Sequence, residues 1–230
     1  MTPLVLLPGM MCDARLFGPQ IAALSGQRTL ICAQLSRRSS IEELASDILA
    51  DAPRHFALAG LSMGGIVAME MLRQAPDRVE RVAFMDTNPL AEHDSLKTNR
   101  LHQMLRVRDG GLAEVMRDEM KPNYLADGPR HADILDLCME MALDLGPEVF
   151  ARQSAALRDR PDQKQTLENW DKPTLILTGA EDRLCPVHRH ELMAELMPQA
   201  TLTIIPDAGH LPTLERPYET HAALERWLEE

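Results

Sequence analysis

Six short apolar runs recur along the chain, each closed by turn residues: "PLVLLPG", "RTLICAQL", "HFALAG", "VERVAFMDTNP", "KPTLILTGAED" and "ATLTIIPDAGH". They are built from Val, Ile, Leu, Ala and Phe and show little polar alternation. A strand covered on both faces reads this way, as in a parallel sheet, whereas a half-solvated strand alternates. Segments of helical period lie between the runs. In "SIEELASDILADA", Ile41, Leu44, Ala45 and Ile48 share one face, and Ser40 followed by Glu43 forms a capping-box pattern. Another helix is predicted over Pro217–Glu229, after the last run. Strands alternating with helices predict an α/β fold with a mainly parallel sheet of about six strands.

The alternation lapses once. From about residue 90 to residue 165 no strand-like run occurs, only helical patterns punctuated by "RDGG", "KPN", "DGPR" and "LGPE". Residues 1–89 and 166–230 are therefore expected to form the core, with 90–165 inserted as roughly four helices. The insertion follows a strand's carboxyl end, the edge where open α/β sheets bind ligands, so it is expected to act as a lid. Met104, Met116, Met120, Met139 and Met141 would give such a lid adaptable apolar side chains.

Composition narrows the classes. The 230 residues carry a formal net charge of −11, which opposes binding to nucleic acid or to an anionic membrane surface. No run reaches the roughly 20 apolar residues that span a bilayer. "MTPLVLLPGMM" lacks a basic start and is broken at Pro8–Gly9, so it is expected to be a first strand and not a signal peptide. Cys12, Cys32, Cys138 and Cys185 lie far apart, without a C-x-x-C pair, and are expected to be reduced. A cytoplasmic protein follows as the expectation, with monomer and homodimer both open.

The chemistry concentrates at "HFALAGLSMGGIVAME", where a strand pattern turns into a buried helix. "G-L-S-M-G" over Gly60–Gly64 fits G-x-S-x-G in the strand–turn–helix setting that gives that pattern meaning. Gly60 and Gly64 remove side chains that would collide in so sharp a turn, leaving Ser62 at the apex beside a helix N-terminus. A serine hydroxyl needs a base and an orienting acid to become a nucleophile. Of eight histidines, His210 follows the last strand in "PDAGHLPTLERP", at the same sheet edge as Ser62. His55 precedes a strand; His93, His102 and His131 lie in the insertion, and His221 lies in the final helix. His188 and His190 form "HRH" without a third ligand at suitable spacing, so no metal is expected. For the acid, Asp182 in "LTGAEDRLCP" leads, with Glu181 beside it and Asp86 in "FMDTNP" as rivals. The oxyanion donors are expected to be the backbone N–H groups of Met63 and of Met10, the latter in a loop where Gly9 lets the backbone approach. No cofactor is implied: the first strand is followed by "PGMM", not by the glycine-rich fingerprint of dinucleotide binders.

These residues carry a resemblance. "PG" at Pro8–Gly9, the turn at Gly60–Gly65, "APDRVERVAFMDTNP", "RQSAALRDRPD", "KPTLILTGAEDRLCP" and "PDAGHLPTLERP" together resemble the α/β-hydrolase family, in its compact lid-bearing, carboxylesterase-like branch. The order serine, acid, histidine is that of the family. The resemblance implies Ser62 as nucleophile, Asp182 as acid, His210 as base, and a small-molecule ester or thioester as substrate. It also implies a six-stranded core that starts at what would be the third strand of a longer member. Relatives usually hold His-Gly where this chain has Pro8–Gly9, which removes a side chain that often braces the oxyanion loop. Carbon–carbon bond hydrolysis of a β-diketone-like compound on the same three residues is the enzymatic alternative. An aminopeptidase would call on acidic lid residues such as Glu114, Asp118 and Glu119, and Arg152 or Arg160 could meet a substrate carboxylate. A ligand receptor that uses the fold without catalysis is the alternative of another class.

Overall fold

All six apolar runs are strands in the computed structural model, which describes residues 1–229: β1 (Leu4–Leu7), β2 (Leu30–Cys32), β3 (Phe56–Leu61), β4 (Val79–Met85), β5 (Thr174–Gly179) and β6 (Thr201–Ile205). They form one sheet in the order β2-β1-β3-β4-β5-β6, with every neighbouring pair parallel. The chain thus crosses from β2 over β1 to β3 and then proceeds outward strand by strand. Every carboxyl end lies on one edge, so the loops after β1, β3, β4, β5 and β6 meet there.

Successive side chains point to opposite faces, and both faces are covered. Val5, Leu7, Leu58, Val82, Phe84 and Ile176 pack in one apolar layer. That layer also holds residues of α2 (Ile41–Asp51), α3 (Met63–Gln74) and α8 (Val187–Leu196). Leu4, Leu6, Ala57, Ala59, Leu175 and Leu177 pack in the other layer, with residues of α1 (Gly18–Leu24), α9 (Pro212–Glu215) and α10 (Pro217–Glu229). The expectation of strands buried on both faces holds for β1, β3 and β5 but fails at the margins. The edge strands β2 and β6 are mostly half-buried or exposed. An edge strand has a neighbour on one side only, and the covering helices do not extend fully over it.

Local signals explain the helices nearest the site. Ser40 caps α2, its Oγ accepting the Glu43 N–H at 3.1 Å. Every residue of α3 from Met63 to Leu72 is buried, because this helix packs on β1, β3 and β4 while α2 and α7 (Lys164–Glu168) cover it. Its one buried charge, Glu70, accepts hydrogen bonds from Arg73, Gln74 and Gln163. A carboxylate so supplied with donors tolerates burial.

Between β4 and β5 lie the inserted helices: α4 (Asp94–Arg108), α5 (Leu112–Glu114), α6 (His131–Arg158) and α7. After α5 the chain continues as a wide π-helical turn over Val115–Met120 and a 3₁₀ turn over Lys121–Asn123. The "LGPE" punctuation falls inside α6 as a break and not as a loop. Gly146 takes φ 80°, and Pro147 starts the second half, where its missing N–H costs no helical hydrogen bond. Among the described residues no helix is long and apolar enough to cross a membrane.

Candidate active site

Ser62 sits between β3 and α3 with φ 54° and ψ −116°, a conformation strained for any residue with a side chain. Two close approaches hold it there. A Cβ on Gly60 would overlap the Gly64 carbonyl, and a Cβ on Gly64 would overlap the Leu7 carbonyl at the end of β1. The elbow glycines thus let α3 start directly against two strands. Gly9 differs from expectation: a Cβ there would meet Leu61 and Ser62 only at 3.6 Å, an ordinary contact, so close backbone approach does not demand glycine.

The sheet edge brings the three distant residues together. His210 Nε2 lies 2.9 Å from Ser62 Oγ, and His210 Nδ1 lies 2.9 Å from Asp182 Oδ2. Asp182 Oδ1 accepts the N–H groups of Leu184 and Cys185 at 2.8 and 3.0 Å. Both His210 and Asp182 are buried, while Ser62 is half-buried. Burial alone would raise the Asp182 pKa, but His210 and the two backbone donors overcome it and bring the value down to about 2. Asp182 is therefore an anion across the working range of any enzyme near neutrality.

The rivals stand elsewhere. Glu181 is exposed. Asp86 is fully buried, and its Oδ1 accepts the Gly179 N–H at 2.8 Å, tying the turn after β4 to the end of β5. Burial first, and then the Asp182 charge, push its carboxyl well above the usual range. Of the histidines outside the site, His190 is buried and its Nε2 accepts the Thr87 N–H at 3.0 Å. Burial lowers its pKa to about 4, so it is a neutral acceptor under the β4 turn, while its partner in "HRH", His188, is exposed.

Of the two residues expected to supply oxyanion donors, Met63 follows Ser62 directly and Met10 lines the same cavity as Ser62. Met63 is the first residue of α3, ahead of the Gly65 and Ile66 N–H groups that bond to the Ser62 carbonyl. Met10 lies in the loop after β1. Neither N–H has a protein acceptor among the described residues. The loop's brace is Gln153 of α6: its Oε1 accepts the Met11 N–H at 2.8 Å, and its Nε2 donates to the Leu35 carbonyl at 2.9 Å. This amide ties the loop after β1 to the insertion and to the segment after β2. A second brace is Glu215, which accepts the N–H groups of Ala126, Gly209 and Leu211, each at 2.9 Å. The Tyr124 carbonyl also accepts the His210 backbone N–H at 2.6 Å, so the insertion and the histidine loop are pinned to each other. Sequence reading passed over Gln153 and Glu215 as agents, although both lie inside the segments that carried the resemblance.

Ser62 and His210 open into a cavity of about 200 Å³. Leu61, Ile66, Leu96, Leu157 and Leu184 contribute its apolar wall, with Met10 and Met120 the methionines that reach it. None of Glu114, Asp118 and Glu119 lines it, and the one insertion carboxylate that does, Glu92, is already paired with Arg100 and Arg160, which leaves the aminopeptidase alternative without an acid to hold an amine. Arg152 turns away to the Ser36 carbonyl and Glu148, while Arg160 does line the cavity. Asp182, Cys185 and His210 place possible metal-ligand atoms within 4.8 Å of one another. Their chemistry does not favour an ion there: Asp182 is already held by three donors, and burial pushes the Cys185 thiol well above its usual range, away from the thiolate a metal needs.

Comparison with known proteins agrees with this fold. The sequence model of the alpha/beta hydrolase family matches residues 4–224. Pimeloyl-[acyl-carrier protein] methyl ester esterase of Aromatoleum aromaticum is 24% identical over 217 residues, covering 83% of this chain and 80% of that protein. A thermophilic esterase from Thermogutta terrifontis, solved with malate bound, superposes with a TM-score of 0.92 at 28% identity, covering 100% of this chain and 90% of that one. The enol-lactonase from Burkholderia xenovorans shares the fold, with a TM-score of 0.88 at 21% identity over 100% of this chain and 92% of its own. With a parallel sheet, a strained serine elbow and a family match over nearly its whole length, the chain belongs to the alpha/beta hydrolase family, as an esterase-like hydrolase.

Proposed function

We propose that this protein hydrolyses small carboxylic esters through an acyl-enzyme on Ser62. The observation that carries the reading is the unbroken Ser62–His210–Asp182 hydrogen-bond chain, with both links at 2.9 Å, together with the backbone N–H groups of Met10 and Met63, which have no acceptor among the described residues. Ser62 Oγ attacks the ester carbonyl carbon as His210 Nε2 takes its proton. Asp182 holds the other nitrogen and stabilises the imidazolium. The carbonyl oxygen becomes an alkoxide that the N–H groups of Met10 and Met63 stabilise in this reading. The carbon–alkoxy bond breaks, and His210 returns the proton to the departing alcohol. Water, deprotonated by the same histidine, then releases the acid and restores the serine.

Residues 90–165 serve as the lid in this reading. They contribute Leu96, Arg100, Met120, Tyr124 and Leu157, among others, to the cavity wall and reach the loops around Ser62 and His210 through Gln153 and Tyr124. The likeness to methyl ester esterases supports an ester over a carbon–carbon bond as the substrate. The four cysteines are unpaired, in keeping with a cytoplasmic protein. The test is intact-protein mass after a fluorophosphonate probe, with p-nitrophenyl esters of short acids assayed in parallel. One adduct and ester turnover on the wild type, both absent from Ser62→Ala, are expected. Labelling without turnover of any ester would move the assignment to carbon–carbon cleavage. Absence of both would leave Ser62 unactivated and favour a receptor.

A further inference from the structure

The cavity lining also carries charged side chains, and their charges do not balance. Glu92, which precedes α4, is a buried carboxylate between two guanidinium groups. Arg160 takes both of its oxygens, Nη2 on Oε1 and Nη1 on Oε2, each at 3.0 Å. The Arg160 Nε donates to the Leu90 carbonyl at 2.9 Å, so each of its nitrogens has an acceptor. Arg100 of α4 reaches the same carboxylate by Nε alone, at 2.7 Å. Its Nη1 meets only the Met10 sulfur, at 3.7 Å, and its Nη2 has no protein acceptor among the described residues. Thioether sulfur is a weak acceptor.

Two cations therefore share one anion in the same cavity that holds Ser62. The remaining ionised group at the site, Asp182, is occupied by His210 and two backbone N–H groups. One positive charge is left over, on a side chain only 19% exposed, in a protein whose net charge is −11. Its position follows from its contacts. Glu92 fixes the Nε edge, and the free Nη edge stands over Met10, the residue whose N–H is assigned to the oxyanion site. If Arg100 served only to neutralise Glu92, the two-pronged Arg160 pair would already suffice.

We infer that Arg100 is a specificity residue that binds a carboxylate on the substrate, so that the preferred substrates are small esters bearing a second, ionised acid group. The inference rests on the ester-hydrolase reading above and names its substrate class. A guanidinium presents a planar pair of donors that matches a carboxylate, and a partly buried site strengthens the pairing. The acid group is carried on the acyl side, as in a half-ester of a dicarboxylic acid, or on the alcohol side, as in the ester of a hydroxy acid. The cavity's small volume keeps either kind short.

Steady-state kinetics on matched pairs test this. Monomethyl glutarate is compared with dimethyl glutarate for the acyl side, and O-acetyl-lactate with its methyl ester for the alcohol side. The wild type is expected to prefer the anionic member of one pair, and that pair names the side. Arg100→Gln should lower kcat/KM for that anionic ester about 10- to 100-fold, mainly through KM. Arg100→Lys should restore part of the loss, and Arg108→Gln, at the exposed end of α4, should leave the preference intact. The inference is overturned if neutral esters are turned over and the anionic preference is absent, or survives in both Arg100 variants. If no ester of either charge is hydrolysed, the fault lies with the hydrolase reading. Calorimetric titration of Ser62→Ala with glutarate then decides the inference alone: binding that Arg100→Gln abolishes upholds it, and no binding overturns it.

Discussion

The loops after β4 and β5 leave adjacent parallel strands at the same edge, and each carries a buried aspartate. Their environments are opposite. Asp182 after β5 receives two backbone N–H groups and His210, and its pKa falls to about 2. Asp86 after β4 receives the Gly179 N–H and a long contact at 3.5 Å from Thr178, and burial beside the Asp182 charge pushes it well above the carboxylate range. Two like charges so close in a dry site do not both persist. The number of donors decides which one stays ionised, and the loser becomes a strut between strands. Both residues follow a strand at the ligand-binding edge, which is why the linear sequence left them as rivals.

The difference between the loops can be broken by substitution. The largest effect falls on the serine that the β5 loop serves. Ser62→Ala should lower ester kcat by about five orders of magnitude or more with the fold retained, as shown by circular dichroism and single-turnover assays. Asp182→Asn should follow at about 10³- to 10⁴-fold, because the amide no longer holds the imidazole in the required tautomer. Asp86→Asn should cost less than about tenfold in kcat by the same assay, since Asp86 reaches His210 only by way of Asp182, whose own donors hold its charge. A reversed order for the two aspartates would transfer the orienting role to Asp86.

Stability against pH sharpens the comparison. Asp182 has a depressed native pKa, so its contribution of about 2 kcal/mol is present above the ordinary carboxylate range and disappears as pH falls toward 2. Asp86 acts in the opposite sense. Its raised native pKa means the unfolded chain holds fewer protons above that range, so its contribution declines as pH rises. Urea unfolding of Asp86→Asn should therefore show stability relative to wild type that improves from pH 4 to pH 7. The smallest effect concerns His190, whose ring supports the turn beside Asp86. Its neutral form contributes stability that is present above pH 6.5 and lost as pH falls to about 4. His190→Phe should flatten that slope and cost about 1–3 kcal/mol at pH 7, because the Thr87 N–H is left without its acceptor.

Much of the site was legible because it depends on local order. A run of apolar residues declares a buried strand, and G-L-S-M-G declares a turn too tight for Cβ atoms. Residues that immediately follow parallel strands must share an edge, so Ser62, Asp182 and His210 could be assembled without coordinates. Even there, locality misled at the margins: β2 and β6 carry the same kind of run as β1, yet their place in the strand order exposes them. The reason for Gly64 was also hidden, since its collision partner is Leu7, in another strand.

The sequence by itself determined the strands, the elbow, the parallel α/β order and the residues able to form the Ser–His–Asp chain. Each of these is set by neighbours in the chain or by a periodicity that any folded form must respect. The tertiary structure alone decided which aspartate stays charged, that Gln153 braces the Met11 loop, and that Glu215 ties the insertion to the histidine loop. It alone left Arg100 with free donors over Met10. Those outcomes depend on how many donors and charges converge on one buried point from segments up to 142 residues apart. In the dry interior that local sum governs ionisation and binding, and no linear spacing encodes it.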